Sequence, residues 1–419
     1  MKKTLHTVIA GTLMVSMLSA CGSGGNKSEG GTGAGAGAGG TVKIEFFQNK
    51  LEAKDSFNKL ITKFNEANPS IQVTQVNPPD AETVLKTRLA KKDLPDVIGL
   101  GANDTYISLS QSGVFDNFTN DALLSNVQPA YIDMLNKQTG SAELNGVPFS
   151  ANASGVLYNK AMFKELGIDI PKTWNELIAA ADKIKAAGKT PFYLTVKDAW
   201  TSLVLFNSLE PGIVGLDFFK DRKDGKVAFK DSFREVAEKQ LKILDYGQKD
   251  AFGKGYNDGN VAFAKGEAAM YIQGVWAIPE IKKANPSMEL GIFPFPSTND
   301  AAKNKLVSGV DTLLTISKST KHKEEAKKFI AFLLQPENSK AYIDEQKAFS
   351  TIKGVVQSDA SVADLNSAFE SGSLVDFADH YIPGAMNLSA IIQDFLQKKD
   401  IDQYLSTLDK EWDKVASRK

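Results

Sequence analysis

The chain has 419 residues, 42% hydrophobic and 24% charged, the balance of a soluble globular protein with enough length for two domains. Its formal net charge is −1, and more negative by two once Lys2 and Lys3 are removed, so it lacks the cationic surplus that a nucleic-acid partner requires. Beyond residue 20, no apolar run approaches the roughly 18 residues of a membrane-spanning helix, so the body is expected to be exported, soluble and attached only at its N-terminus.

Met1-Lys2-Lys3 gives a positive start, Thr7 to Leu18 is a short apolar stretch, and Ser19-Ala20 lead into Cys21, the one cysteine of the chain. That is the layout of a cleavable secretory signal. The ending Leu18-Ser19-Ala20-Cys21 resembles the lipobox of bacterial lipoproteins. The resemblance implies that Cys21 carries diacylglycerol and becomes the first residue after cleavage; an ordinary signal with a chance cysteine is the alternative. Residues 22–40 are almost entirely Gly, Ala, Ser and other residues with nothing to bury. They read as a flexible tether that holds the body roughly 25 Å from its anchor.

The body opens with an alternating strand, Val42 to Phe47. Phe57, Leu60, Ile61 and Phe64 follow at the spacing of one helical face, which Asn68-Pro69 ends. A strand over 71–76, a helix carrying Val84, Leu85, Arg88 and Leu89, and a short buried strand over 97–100 come next. This alternation predicts a largely parallel sheet with helices on both faces. A turn at Asn145-Gly146 leads through 147–150 and Ala151 to Gly155 to a strand over Val156 to Tyr158. Thr173 and Glu176 form a capping box for a helix ending at Gly188. Another helix carries Phe233, Val236, Ala237 and Leu244, and Asp258 is expected to cap the helix bearing Val261 and Ala264. Strands are predicted over 268–272, 290–295 and 307–316. Asp311 interrupts the last of these apolar runs. Helices carrying Ala326, Phe329, Ile330 and Leu333, and later Ile401, Tyr404, Leu405, Leu408 and Trp412, complete the chain.

Several stretches, in order, resemble one family: FFQNK, NEANPSIQV, LPDVIGLGAND, PFSANASGVLYNKAMFKELGI with PKTWNELIAAADKI, AFAKGEAAMYIQGVWAI, and KHKEEAKKFIAFLLQPENSKAYI. Together they are similar to the extracellular solute-binding proteins of family 1, the receptors of carbohydrate ABC importers. The likeness runs from Val42 to about Val355; the remaining residues share only helical character. It implies a two-lobed, type II periplasmic-binding-protein-like α/β fold with the ligand in a cleft between lobes. Lobe 1 would be 41–150 plus 311–347, and lobe 2 would be 151–310 plus 348–419, with crossings near Ser150 and Asp311. Ligand would stabilise the closed form through contacts to both lobes. A sugar or oligosaccharide ligand, ABC permease subunits as partners, no cofactor and a monomeric state follow from the same likeness.

Sugars present C–H faces that stack on aromatic rings and hydroxyls that pair with carboxylates and amides. Trp276, two residues after Gly274 at a strand-to-helix turn, is the leading stacking candidate; the resemblance places such an aromatic under a sugar ring. Trp200, near Asp198 in a polar loop, is a second, whereas Trp174 and Trp412 sit on amphipathic faces and read as core. Asp311 is the leading hydroxyl partner, because a buried carboxylate requires a partner. Asn49, Lys50 and Glu52 follow the first strand and Asp104 the third, at the carboxyl ends where open sheets meet ligands. Asn152 with Ser154 lies at the first crossing, and Phe349 at a third.

A secreted glycosidase would need two carboxylates flanking a bond; acids are numerous, but no motif groups such a pair. His322 and His380, the histidines outside the signal, lie too far apart in sequence for a multi-histidine zinc site. No G-x-S-x-G elbow accompanies His380, and no phosphate-cradling loop follows a strand. Only four arginines are present, so the bidentate clamp for carboxylate or phosphate is scarce. A neutral sugar is favoured, with a polyamine as the alternative in the binding class. Two or more acyl chains on Cys21 would retain such a receptor on a cell without an outer membrane, which favours a Gram-positive surface. Cys21→Ser is expected to move the protein from the membrane fraction to the medium with binding intact. Released protein that cannot bind would contradict the separation of anchor and body.

Overall fold

The structure, a computed structural model, describes residues 40–416. The expectations for the signal, Cys21 and residues 22–39 lie outside the described residues. Ten strands join one sheet: β1 (Val42–Gln48), β2 (Ile71–Val76), β3 (Val97–Leu100), β4 (Val147–Asn159), β5 (Phe192–Tyr193), β6 (Met270–Gly274), β7 (Leu290–Phe293), β8 (Leu306–Ile316), β9 (Phe349–Ser350) and β10 (Leu374–Val375). The main path is β2-β1-β3-β8-β4-β6-β5, with β10 on β8, and β7 and β9 on β4.

The two ends of this path are parallel, as the alternation of strands and helices predicts: β1 runs with β2 and β3, and β5 with β6. The centre is antiparallel, because β4 and β8 pair with one another in opposite directions from Val147↔Leu314 to Ser154↔Val307. One long strand leaves the first half of the sheet and the other returns to it. Both cross between halves, so a wholly parallel sheet is ruled out.

Residues 147–159 form one 13-residue strand, so the strand expected over 156–158 begins already at Val147. Two register shifts beside Ser150 bend it. Its small residues are a packing feature: a Cβ on Gly155 would lie 2.3 Å from the Phe293 carbonyl oxygen, so only glycine lets β7 come this close.

Most helices form where the periodicity places them. Phe57, Leu60, Ile61 and Phe64 are the buried stripe of Lys54–Ala67. Thr173 and Glu176 close the capping box of Trp174–Ala186. In Tyr256–Ala264, however, Asp258 is the third helical residue. Its carboxylate accepts from the N–H of Gly255, which takes the capping position. Helix Thr201–Ile213 has no sequence-level counterpart. It is buried on nearly all sides and ends in Pro211-Gly212, so it shows neither a polar face nor a helical ending.

Three apolar clusters flank the sheet. Phe46, Phe57, Phe64, Phe149, Phe329 and Tyr342 pack on the β1–β3 side, with Phe46 edge-on to Phe57 at 5.0 Å and to Phe329 at 5.4 Å. Each such ring stabilises the fold by about 1.5–3 kcal/mol through burial alone. Phe206, Phe218, Phe229, Phe233 and Trp412 form a second core, which the C-terminal helices Leu388–Lys398 and Ile401–Ala416 complete. The third runs along the centre, where Ala151, Ala153 and Val310 join Tyr106 to Tyr271.

Glu210 stands out within the second core. It is 0% exposed, neither carboxyl oxygen has a hydrogen-bond partner, and burial pushes its pKa from 4.5 to about 8. Between those two values the folded state holds a proton that the unfolded state has lost, so stability falls as pH rises through this window. Glu210→Gln should therefore raise stability by a few kcal/mol at pH 8 and change it little at pH 4, as measured by urea unfolding at both values. An equal effect at both pH values would contradict a buried neutral acid.

Candidate functional site

The site begins at the carboxyl end of β1. Gln48 is buried there and donates from Nε2 to Gln75 Oε1 at 2.8 Å, while its own Oε1 accepts the Lys50 N–H at 2.5 Å. Asn77 Nδ2 holds the Gln48 carbonyl at 2.9 Å. These bonds fix the course of the chain as it leaves the strand, and so they aim Lys50. Its Nζ reaches across to Asp311 Oδ1 at 2.6 Å, with Glu52 3.8 Å away.

Asp311 lies in the middle of β8, and neighbouring β4 supplies its other partners. Asn152 Nδ2 donates to Asp311 Oδ1 at 2.8 Å, and Ser150 Oγ is 3.5 Å from Oδ2. The Lys50 and Asp311 side chains are 19% and 11% exposed, a setting between a screened surface pair and a dry one. Burial by itself would lower the Lys50 pKa. The charges of Asp311 and Glu52 outweigh that effect and hold it above the ordinary lysine value. Tyr342 packs beneath, 4.9 Å from Phe57 and 4.8 Å from Phe149 between ring centroids. Burial first, and the Asp311 charge next, push its phenol upward.

A second group is aromatic. Trp276 follows β6 and precedes helix Ala277–Ala284, the strand-to-helix turn expected from the sequence. Its ring lies over Gly274, where a Cβ would come within 2.0 Å, and its Nε1 donates to Gln273 Oε1 at 3.1 Å. The ring remains half-buried and packs against two of the three cores. Tyr256 OH donates to the Trp276 carbonyl at 3.4 Å, and its ring lies 5.1 Å from that of Trp200. Trp200 is 42% exposed and occupies the residue before helix Thr201–Ile213, so it sits at a helix start where the sequence reads as loop. Burial first, opposed by Asn260 and reinforced by Glu52, raises the Tyr256 pKa.

Of the residues singled out from the sequence, Lys50, Glu52, Asn152 and Asp311 come together. Asn49 is half-buried beside them in the chain. Asp104 begins helix Asp104–Gln111 and lies against Gly384. Phe349 is in the interior, 6% exposed and stacked on Phe369 at 3.9 Å. Gln48, Tyr256 and Tyr342 escaped the sequence reading. Only the position of Gln48 at a strand end could have marked it. Among the described residues no group of three or more His, Cys, Asp or Glu is placed to hold a metal ion. Gln273 Nε2 and Asn152 Oδ1 are buried without a protein partner, so hydrogen-bonding capacity is left over beside the aromatic and the charged group alike.

Residues 49–340 match the family described as bacterial extracellular solute-binding protein. A multiple sugar-binding protein of Streptococcus mutans serotype c is 34% identical over 351 residues, 81% of each chain. The melibiose/raffinose/stachyose-binding protein MelE of Bacillus subtilis is 24% identical, covering 84% of this chain and 85% of its own. Among solved structures, RafE in complex with raffinose superposes with a TM-score of 0.76 at 28% identity, covering 89% of this chain and 99% of RafE.

Removing one member of the charged pair strands the other in a largely desolvated place. A double-mutant cycle of Lys50→Met and Asp311→Asn, read by urea unfolding, should give a coupling energy of about 1–3 kcal/mol. Additive single effects would contradict a working pair.

Proposed function

The chain belongs to the family of bacterial extracellular solute-binding proteins, and within it we propose that this member captures a neutral sugar or short oligosaccharide for an ABC importer. One arrangement carries the reading: Lys50, Glu52, Asn152 and Asp311 form a mixed polar cluster, and Tyr256 joins Trp276 to Trp200 in an aromatic group. Hydroxyls need such mixed donors and acceptors, and the C–H face of a pyranose needs the rings. Lys50 engages Asp311 directly, so Glu52 is the one carboxylate of the cluster left to draw a polyamine. The sugar-binding relative from Streptococcus mutans and the raffinose complex of RafE support the same class.

The lobes in this reading are 41–150 plus 311–347, and 151–310 plus 348–419. The paired strands β4 and β8 serve as the crossings, and ligand draws the two sides together. A closed, loaded receptor would then dock on permease subunits. Cys21 would carry the lipid that keeps the receptor at the outer face of the membrane, with residues 22–40 as its leash. No catalytic step is assigned, since the acid at the centre of the cluster is engaged by Lys50, Asn152 and Ser150.

The test is a thermal-shift and calorimetry panel of raffinose, stachyose, melibiose, glucose and spermidine. A sugar at 100 times its Kd should add about 2.7 kcal/mol of stability. Trp276→Ala should weaken that sugar by about 2 kcal/mol, roughly thirtyfold in Kd. Stabilisation by spermidine alone, shorter oligosaccharide products, or binding indifferent to Trp276→Ala would overturn the reading.

A further inference from the structure

A second polar group, sharing no residue with the Asp311 cluster, lies in the segment that follows β10. One side of this segment is rooted in the core of Phe206 and Phe219, where Ala378, Ile382 and Met386 are buried. The Asp379 N–H donates to Asn207 Oδ1 at 3.0 Å, on helix Thr201–Ile213. The other side meets two helices that pack at the β1–β3 end of the sheet. Gln138, next to last in helix Pro129–Thr139, donates from Nε2 to Asp376 Oδ2 at 2.7 Å and lies 2.9 Å from His380 Nδ1. Gly384 lies against Asp104, where a Cβ would come within 2.7 Å of Oδ2.

We propose that Gln138 and Asp376 form a clasp that holds the solute cleft in its closed form, as a positioning contact that need not touch the solute. The proposal rests on the two-lobe closure above, since Gln138 falls in lobe 1 and Asp376 in lobe 2. Its physical basis is an asymmetry in what each partner loses on opening. Asp376 also accepts from the Phe377 N–H at 2.8 Å and from Tyr381 OH at 3.1 Å, and it pairs with His380 Nδ1 at 2.9 Å. All three partners belong to its own segment and stay with it. Gln138 would exchange Asp376 for water, and its Oε1, buried without a protein partner, would be hydrated as well. Neither side is left with a stranded charge, so the bond can break and re-form cheaply. Room for the carboxylate comes from Gly309 of β8, where a Cβ would sit 2.9 Å from Asp376 Oδ1.

The experiment uses the full chain with Cys21→Ser, Glu66→Cys and Lys410→Cys, spin-labelled at two exposed helical positions on the two sides. Gln138→Met keeps the length and packing of the side chain but removes its donor. Without sugar, the shorter-distance population should fall several-fold in Gln138→Met and further in Gln138→Glu, which sets a second carboxylate against Asp376. Raffinose release should quicken about tenfold, the scale of one hydrogen bond to a charged group, with association rate and Tm unchanged. Unaltered distances, with or without a drop in Tm, would overturn the clasp and leave Gln138 a merely structural residue. If raffinose binds neither chain, the sugar reading fails while the label distances still decide the clasp.

Discussion

The salt bridge between Lys50 and Asp311 is the constraint on which the middle of the molecule depends. An aspartate in the apolar run of β8 is tolerable only with a partner, and the partner comes from a residue 261 positions away. To deliver it, the chain after β1 must leave the strand in one direction, which the buried Gln48 amide enforces. The same carboxylate takes Asn152 from β4, so the two long strands that cross between halves of the sheet are tied to the end of β1 at one point. Such a pair contributes more to the uniqueness of an arrangement than to net stability, since desolvation offsets much of its attraction.

That arrangement determines what the site can hold. In the proposed reading, hydroxyls share the Lys50–Asp311 pair with Asn152 and Ser150. In the same reading the rings of Trp276, Tyr256 and Trp200 would supply the apolar wall. The Gln138–Asp376 contact shares no residue with this group. Recognition and closure would then be carried by separate residues, and affinity could be tuned through the clasp without altering which solute is preferred.

Much of this was legible in the sequence, for identifiable reasons. Phe57, Leu60, Ile61 and Phe64 announce a helix because one buried face imposes a 3.6-residue period. Asp311 announces itself because a charge in an apolar strand is rare and needs a reason. Other features left no local trace. Helix Thr201–Ile213 is buried on nearly all sides and so loses its period, and the small residues Ala151 to Gly155 hide how far the strand ending at Asn159 extends. Tyr256, Tyr342 and Gln138 act through neighbours far away in the chain, and one sequence carries no signal of such contacts. Phe349 shows the converse: its position beside a crossing suggested ligand contact, while the fold gives its face to Phe369.

Small-angle scattering of the full Cys21→Ser chain, with and without saturating raffinose, tests the central claim most directly, because it asks whether a neutral sugar closes two lobes about paired crossing strands. The account predicts a smaller radius of gyration with raffinose and none with spermidine. An unchanged radius with raffinose demonstrably bound, or compaction by spermidine, would contradict it.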